Sequence, residues 1–125
     1  MMNDPVISSS TRFLDMSVFR SGLILSNMAN IDTPGYQARD INFRQELKRA
    51  SDDDEEGNPM ETVSLVPVVH TVRGLIERPD GNNVNLERES MLLADTQLRF
   101  DTGVQLLRDR FRMLSSAIHE GSTSS

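Results

Sequence analysis

The sequence predicts a mainly α protein whose N- and C-terminal helices pair as an elongated coiled coil, with a short irregular or β segment between them. Three observations predict it. Residues 86–118 place Leu86, Ser90, Leu93, Gln97, Phe100, Val104, Leu107, Phe111, Leu114 and Ile118 at alternating spacings of four and three, a sustained heptad seam. Residues 9–30 carry a second apolar stripe at helical spacing, through Phe13, Leu14, Met16, Val18, Phe19, Leu23, Leu25 and Met28. The chain also lacks the means for a thick core: of 125 residues, 37% are hydrophobic, 5% are aromatic and none is Trp. That composition suits long helices better than a compact enzyme, and the length allows a single domain, 1–125.

Along the chain, residues 1–8 read as a mobile arm, and the cluster Ser8-Ser9-Ser10-Thr11 offers N-caps for the first helix. Gly22, inside that helix, either admits a close neighbour or is a tolerated weak point costing about 1 kcal/mol relative to Ala. The helix stops at Ser26-Asn27-Met28-Ala29-Asn30-Ile31-Asp32-Thr33-Pro34-Gly35-Tyr36. Pro34 excludes the α region for Thr33, and Pro-Gly suits the centre of a type II turn, with Gly35 at positive φ. Tyr36 packs its ring against the ended helix and leaves its hydroxyl wet. Asn27 and Asn30 are poor helix formers in the last turn, so their amides are expected to make contacts, inside the subunit or between subunits.

The middle, 37–85, reads as a loop with short extended segments. Ile41 and Phe43 alternate like a strand, and residues 44–50 allow a helical turn or two. The acidic run 52–56 reads as a solvated loop. It is no calcium loop, because the twelfth position counted from Asp52 is Val63 instead of Glu. The β-branched stretches 62–69 and 71–78 suggest a hairpin or two extended segments, with Pro67 at an edge and His70 between them. Pro79-Asp80-Gly81-Asn82 is a turn. Asn85 caps the last helix, with Glu87 and Glu89 complementing the dipole of its first turn. That helix, 86–118, would run about 50 Å at ~1.5 Å per residue, too long for a chain of this size to cover, and Gly121 with the Ser/Thr tail ends it.

Several function classes are excluded. A net charge of −6 without a basic stripe argues against nucleic acid. The chain has no Cys, and His70 and His119 stand far apart without metal or general-base spacing. No phosphate loop, nucleophile elbow or facing carboxylate pair is present, so no enzyme, cofactor, metal or small-molecule substrate is expected. No stretch approaches the length of a membrane span, and the N-terminus lacks a secretory signal pattern, so composition alone predicts a cytoplasmic protein.

The residues 27–36, Asn-Met-Ala-Asn-Ile-Asp-Thr-Pro-Gly-Tyr, closely resemble the N-terminal motif of bacterial flagellar rod and hook axial proteins. The continuation Gln37-Ala38-Arg39-Asp40-Ile41-Asn42-Phe43, the block 80–89 and the ending 111–118 resemble the proximal rod FlgB type. On that resemblance, Asn27, Asn30, Thr33, Pro34, Gly35 and Tyr36 are the motif positions. It implies a structural subunit of the basal-body rod, contributing to flagellum-dependent motility as part of a homo- and hetero-oligomer. It implies as partners other rod proteins, the membrane-ring adaptor and the type III export apparatus. It also reverses the location: a periplasmic rod protein, exported without a cleaved signal peptide. The expected assembly seam is Leu93, Phe100, Val104, Leu107, Phe111, Leu114 and Ile118. The rival reading is a soluble helical adaptor that binds a partner helix through the same seam.

Overall fold

A computed structural model describes residues 4–55 and 66–123. Its elements are α1 (Pro5–Ala29), β1 (Arg39–Ile41), α2 (Phe43–Glu55), β2 (Val69–Thr71) and α3 (Leu86–Thr123). Helix α1 begins earlier than the serine cluster suggests. The carboxylate of Asp4 accepts the amides of Val6 at 2.9 Å and Ile7 at 3.2 Å, and Pro5 takes the first turn. A capping Asp followed by Pro is a sufficient start signal, because Pro5 lacks an amide that would go unbonded there. Residues 5–8, expected in a mobile arm, are therefore helical.

Three further expectations are corrected. Helix α2 is capped by Asn42, whose Oδ1 accepts the Gln45 amide at 3.0 Å, and it continues to Glu55. Residues 52–55 of the acidic run are thus helical and not a loop; Glu56 lies outside the described residues. Repulsion between neighbouring acids costs only tenths of a kcal/mol per pair, too little to stop a helix already nucleated. The β2 strand does not fold back on the segment after it. It pairs antiparallel with β1, Asp40 facing His70, so His70 sits inside a strand. The stretch 62–65 lies outside the described residues. Finally, α3 passes through Gly121 to Thr123, since a glycine weakens a helix without obliging it to end.

Asn85 caps α3 as expected, accepting the Arg88 amide at 3.1 Å. The apolar core is small: Met16, Ile41 and Phe43, ringed by Phe13, Phe19, Leu23 and Leu47. Phe13 meets Phe43 edge-on at 5.0 Å between ring centres, and the Arg99 guanidinium lies 5.5 Å from the Phe43 ring centre. Arg20 grips Asp40 with two hydrogen bonds of 3.0 and 2.9 Å, tying α1 to β1.

The main packing is α1 against α3. The contacts Asp4–Arg110 and Asn27–Glu89 make the two helices antiparallel. Their shared face is built from small and polar residues. Ser10, Ser17 and Ile24 are buried on α1; Glu89, Thr96 and Gly103 are buried on α3. Each set recurs every seven residues. The Ser17 and Thr96 hydroxyls bond carbonyls of their own helices, Phe13 at 2.9 Å and Leu92 at 2.7 Å, so burying them leaves no orphaned group. A Cβ on Gly103 would stand 2.9 Å from Leu14 Cδ2 and 3.1 Å from Phe13 Cδ1, so glycine lets the helices approach. Gly22, by contrast, is exposed with nothing within 4 Å of a would-be Cβ among the described residues.

Candidate interaction site

Two features emerge from this frame: a bonded junction at the end of α1 and an apolar end on α3. The junction is built by amides. Asn27, 1% exposed, donates to the Arg39 carbonyl at 2.9 Å and to Glu89 Oε2 at 3.2 Å. Its Oδ1 accepts the Arg39 amide and the Tyr36 hydroxyl, each at 3.0 Å. One side chain thus joins α1, β1, the turn and α3. Tyr36 also lies 3.4 Å from the Ser26 hydroxyl, so its hydroxyl is held inside the junction and is not left wet as expected. A buried Asn with an open acceptor lone pair draws the phenol in.

Asn30 works locally. Its Nδ2 bonds the Ser26 carbonyl at 2.8 Å and its Oδ1 accepts the Thr33 hydroxyl at 3.0 Å. The Tyr36 amide bonds the Thr33 carbonyl at 3.2 Å, and Gly35 has φ +74°, which makes Pro34-Gly35 the centre of a type II turn. The Gly35 amide reaches the Asp80 carbonyl at 2.8 Å, and Gly81, at φ +85°, lies against Gly35. The two turns pack backbone to backbone.

Residues 78–83 hold the first turn in place. Asn82, fully buried, aims Nδ2 at the carbonyls of Asn30 (2.9 Å), Ile31 (3.0 Å) and Thr33 (2.9 Å). Arg78 also bonds the Ile31 carbonyl, and Gln37 bonds the Gly81 carbonyl. Asn83 accepts the Ala38 amide at 2.7 Å and donates to the Val72 carbonyl at 3.1 Å. The carbonyls just past the end of α1 therefore gain side-chain donors from far along the chain, while those of its last turn are bonded locally by Asn30 and Ile31. Asn82, Asn83 and Glu89 were not singled out from the sequence for these roles. The available signal was two adjacent Asn behind an Asp-Gly turn. Glu89 does lie in the first turn of α3, but it is buried against Asn27 and Arg88, 3.1 Å away.

The expected assembly seam divides. Leu93, Phe100, Val104, Leu107 and Leu114 are half-buried, whereas Phe111 and Ile118 are 48% and 57% exposed. The face that α3 buries against α1 runs instead through Glu89, Thr96, Gly103 and, at its end, Arg110. Arg110 clasps Asp4 with three contacts of 2.8 to 3.3 Å. These hydrogen bonds from Arg110 hold the Asp4 carboxyl below its ordinary value, aided by the Ile7 and Val6 amides, against a smaller opposing effect of burial. The same pairing raises Arg110. Beyond Arg110, α3 extends past the described start of α1.

Among the described residues no three His, Asp or Glu side chains gather as a metal site, and no helix is long and apolar enough to cross a membrane. The class so defined is an elongated helical-pair protein whose distinguishing parts are a bonded turn and an exposed apolar helix end. No family model matches the chain. Individual relatives do. It is 38% identical over 112 residues to the flagellar basal body rod protein FlgB of Cereibacter sphaeroides, covering 79% of this chain and 82% of that one. It is 30% identical over 133 aligned positions to the protein of that name from Salmonella typhimurium (94% and 96% covered). With that of Yersinia enterocolitica it shares 29% over 122 (86% and 89%). The chain belongs to the FlgB family of flagellar basal body rod proteins.

Proposed function

We propose that this chain is a structural subunit of the flagellar basal-body rod, of the proximal type, and that it contributes to motility by assembling and not by catalysis. One observation carries the mechanism: the distal part of α3 leaves Phe111, Met113 and Ile118 exposed by 48%, 61% and 57%. Phe111 and Ile118 share one side of the helix and Met113 lies on the other; large apolar side chains left bare at a helix end mark packing partners. Copies then add through coiled-coil contacts on the outer faces of one paired-helix domain, 1–125. Other rod proteins, the membrane-ring adaptor and the export apparatus are the partners this reading requires, in a periplasmic rod reached without a cleaved signal peptide.

The test is isolation of basal bodies from cells carrying a tagged chain. The tag is expected in the rod, and Ile118→Asp is expected to remove it while the purified variant unfolds at the unmodified chain's midpoint. A discrete soluble complex, with basal bodies devoid of the tag, would establish the adaptor reading instead.

A further inference from the structure

The side of α3 turned away from α1 matches itself when reversed. The face that α3 buries recurs every seven residues, through Glu89, Thr96 and Gly103, so the opposite side recurs likewise. Its centre line is Ala94, Asp101, Arg108 and Ser115, all exposed. One flank carries Met91 and Leu98, 74% and 66% exposed, in the first half of the helix. The other flank carries Phe111 and Ile118 in the second half, both already described as exposed. The charges divide in the same way. Asp101 precedes the middle of this face, and Arg108 and Arg112 follow it. Asp101 is met by Gln97 at 3.2 Å, and among the described residues no carboxylate pairs with Arg108.

We propose that two copies of the chain pair antiparallel along this side of α3, with the two-fold axis between Val104 and Gln105. Asp101 of each copy then faces Arg108 of the other, with Arg112 of the other one turn further on. Toward the ends Ala94 faces Ser115, small against small, which lets the helices approach. On the flanks Leu98 meets Phe111 and Met91 meets Ile118, each contact occurring twice. No like charges stand opposite one another in this register. Charge complementarity selects a second copy as the occupant, because the acidic half and the basic half of the face are each answered by the same face reversed. The contact closes on itself, unlike the repeating contacts of a rod, so it belongs to the chain before assembly. It goes beyond the rod reading and does not depend on it. Where that reading holds, the pair keeps Phe111 and Ile118 covered until dilution or a competing partner separates the copies.

Light scattering and sedimentation of the purified chain are expected to show a mass that rises from one chain to two, and no further, as concentration increases. Arg108→Asp and Asp101→Arg alter exposed side chains, so each should keep the helical circular dichroism of the unmodified chain. Each should weaken the pairing by about tenfold, because like charges then face each other; the two together exchange the signs and should restore it. The chain has no cysteine, so introduced thiols report geometry. Residues 94 and 115 lie about 30 Å apart along one helix, so Ala94→Cys combined with Ser115→Cys can only bridge two copies. Oxidation of the double variant should give a two-chain species, and neither single variant should dimerise. A chain of single mass at every concentration overturns the proposal. So does pairing indifferent to Arg108→Asp, or a double exchange that fails to restore it. A dimer from either single-cysteine variant, or a ladder of larger species from the double variant, overturns it as well.

Discussion

The junction around Asn27 and Asn82 and the distal end of α3 are opposites. At the junction, buried amides bond across four segments of one chain, and the hydrogen-bonding capacity described for Asn82 is spent inside the subunit. At the distal end, Phe111, Met113 and Ile118 face outward. The difference teaches where to look for partners. A family motif invites the idea of an intersubunit contact, but here Asn27, Asn30 and Tyr36 bond within the chain, while Thr33 and Pro34 remain exposed. The apolar end, outside that first motif, leaves large side chains bare. Stability should therefore respond to changes at the junction and assembly to changes at the end.

The sharpest way to break that comparison is Asn82→Leu. It replaces a fully buried amide that binds three carbonyls and accepts the Val84 amide with an apolar side chain that can do neither, and should cost about 3–5 kcal/mol, read by chemical denaturation of the purified chain. A change below the error of the measurement would show that the turn does not depend on residues 78–83. Next comes Gly103→Val, which forces side-chain atoms into Leu14 and Phe13 and should cost about 1–3 kcal/mol. Gly35→Val meets a positive φ of +74° and should also cost about 1–3 kcal/mol, with the loss of amide-exchange protection confined to the turn.

A smaller effect is expected from acid. The Asp4 carboxyl is depressed chiefly by its hydrogen bonds to Arg110, so the folded state holds its proton less tightly than the unfolded chain does. The stabilisation is thus complete above the unfolded value of about 3.9 and fades as pH falls through the lower folded value. Protection of the first turn of α1 should decline in that window, and Asp4→Asn should remove the pH dependence. The smallest effect on stability belongs to Phe111→Asp, within about 0.5 kcal/mol, because that side chain is already half in water. Its loss should appear only in contacts with other chains, basal-body incorporation among them. A strongly destabilised Phe111→Asp monomer would erase the contrast between the two regions.

The two end helices, their pairing and the Pro34-Gly35 turn were legible because each rests on local rules: apolar period, capping, and the one residue that tolerates positive φ. The phase of the pairing was not. Apolarity pointed to Val104, Phe111 and Ile118, whereas the buried intrachain face uses Ser10, Ser17, Thr96 and Gly103. When helices approach closely, small residues define the contact and large apolar ones flank it, so an apolar count marks the wrong ridge. The start at Asp4-Pro5 was readable by the ordinary capping rule but was masked by four hydroxyl residues just behind it. The pairing of β2 with β1 was beyond local reading, because three-residue strands carry too little pattern to name a partner. Asn82 illustrates the same limit, since nothing near it in sequence says that its amide belongs to a helix ending at Ala29.

That distance has a consequence in time. The carbonyls just past the end of α1 are joined by an amide 49 to 52 residues further on, and the cap of its first turn is clasped by an arginine 106 residues away. A ribosome adding 5–20 residues per second delivers Arg110 roughly 5–20 s after Asp4. Until then the first helix has neither its closing lock nor its clasp, and its small-residue face has nothing to lie against. The chain is thus built to remain unfastened while it is made, and to close at both ends only when nearly all of it has arrived.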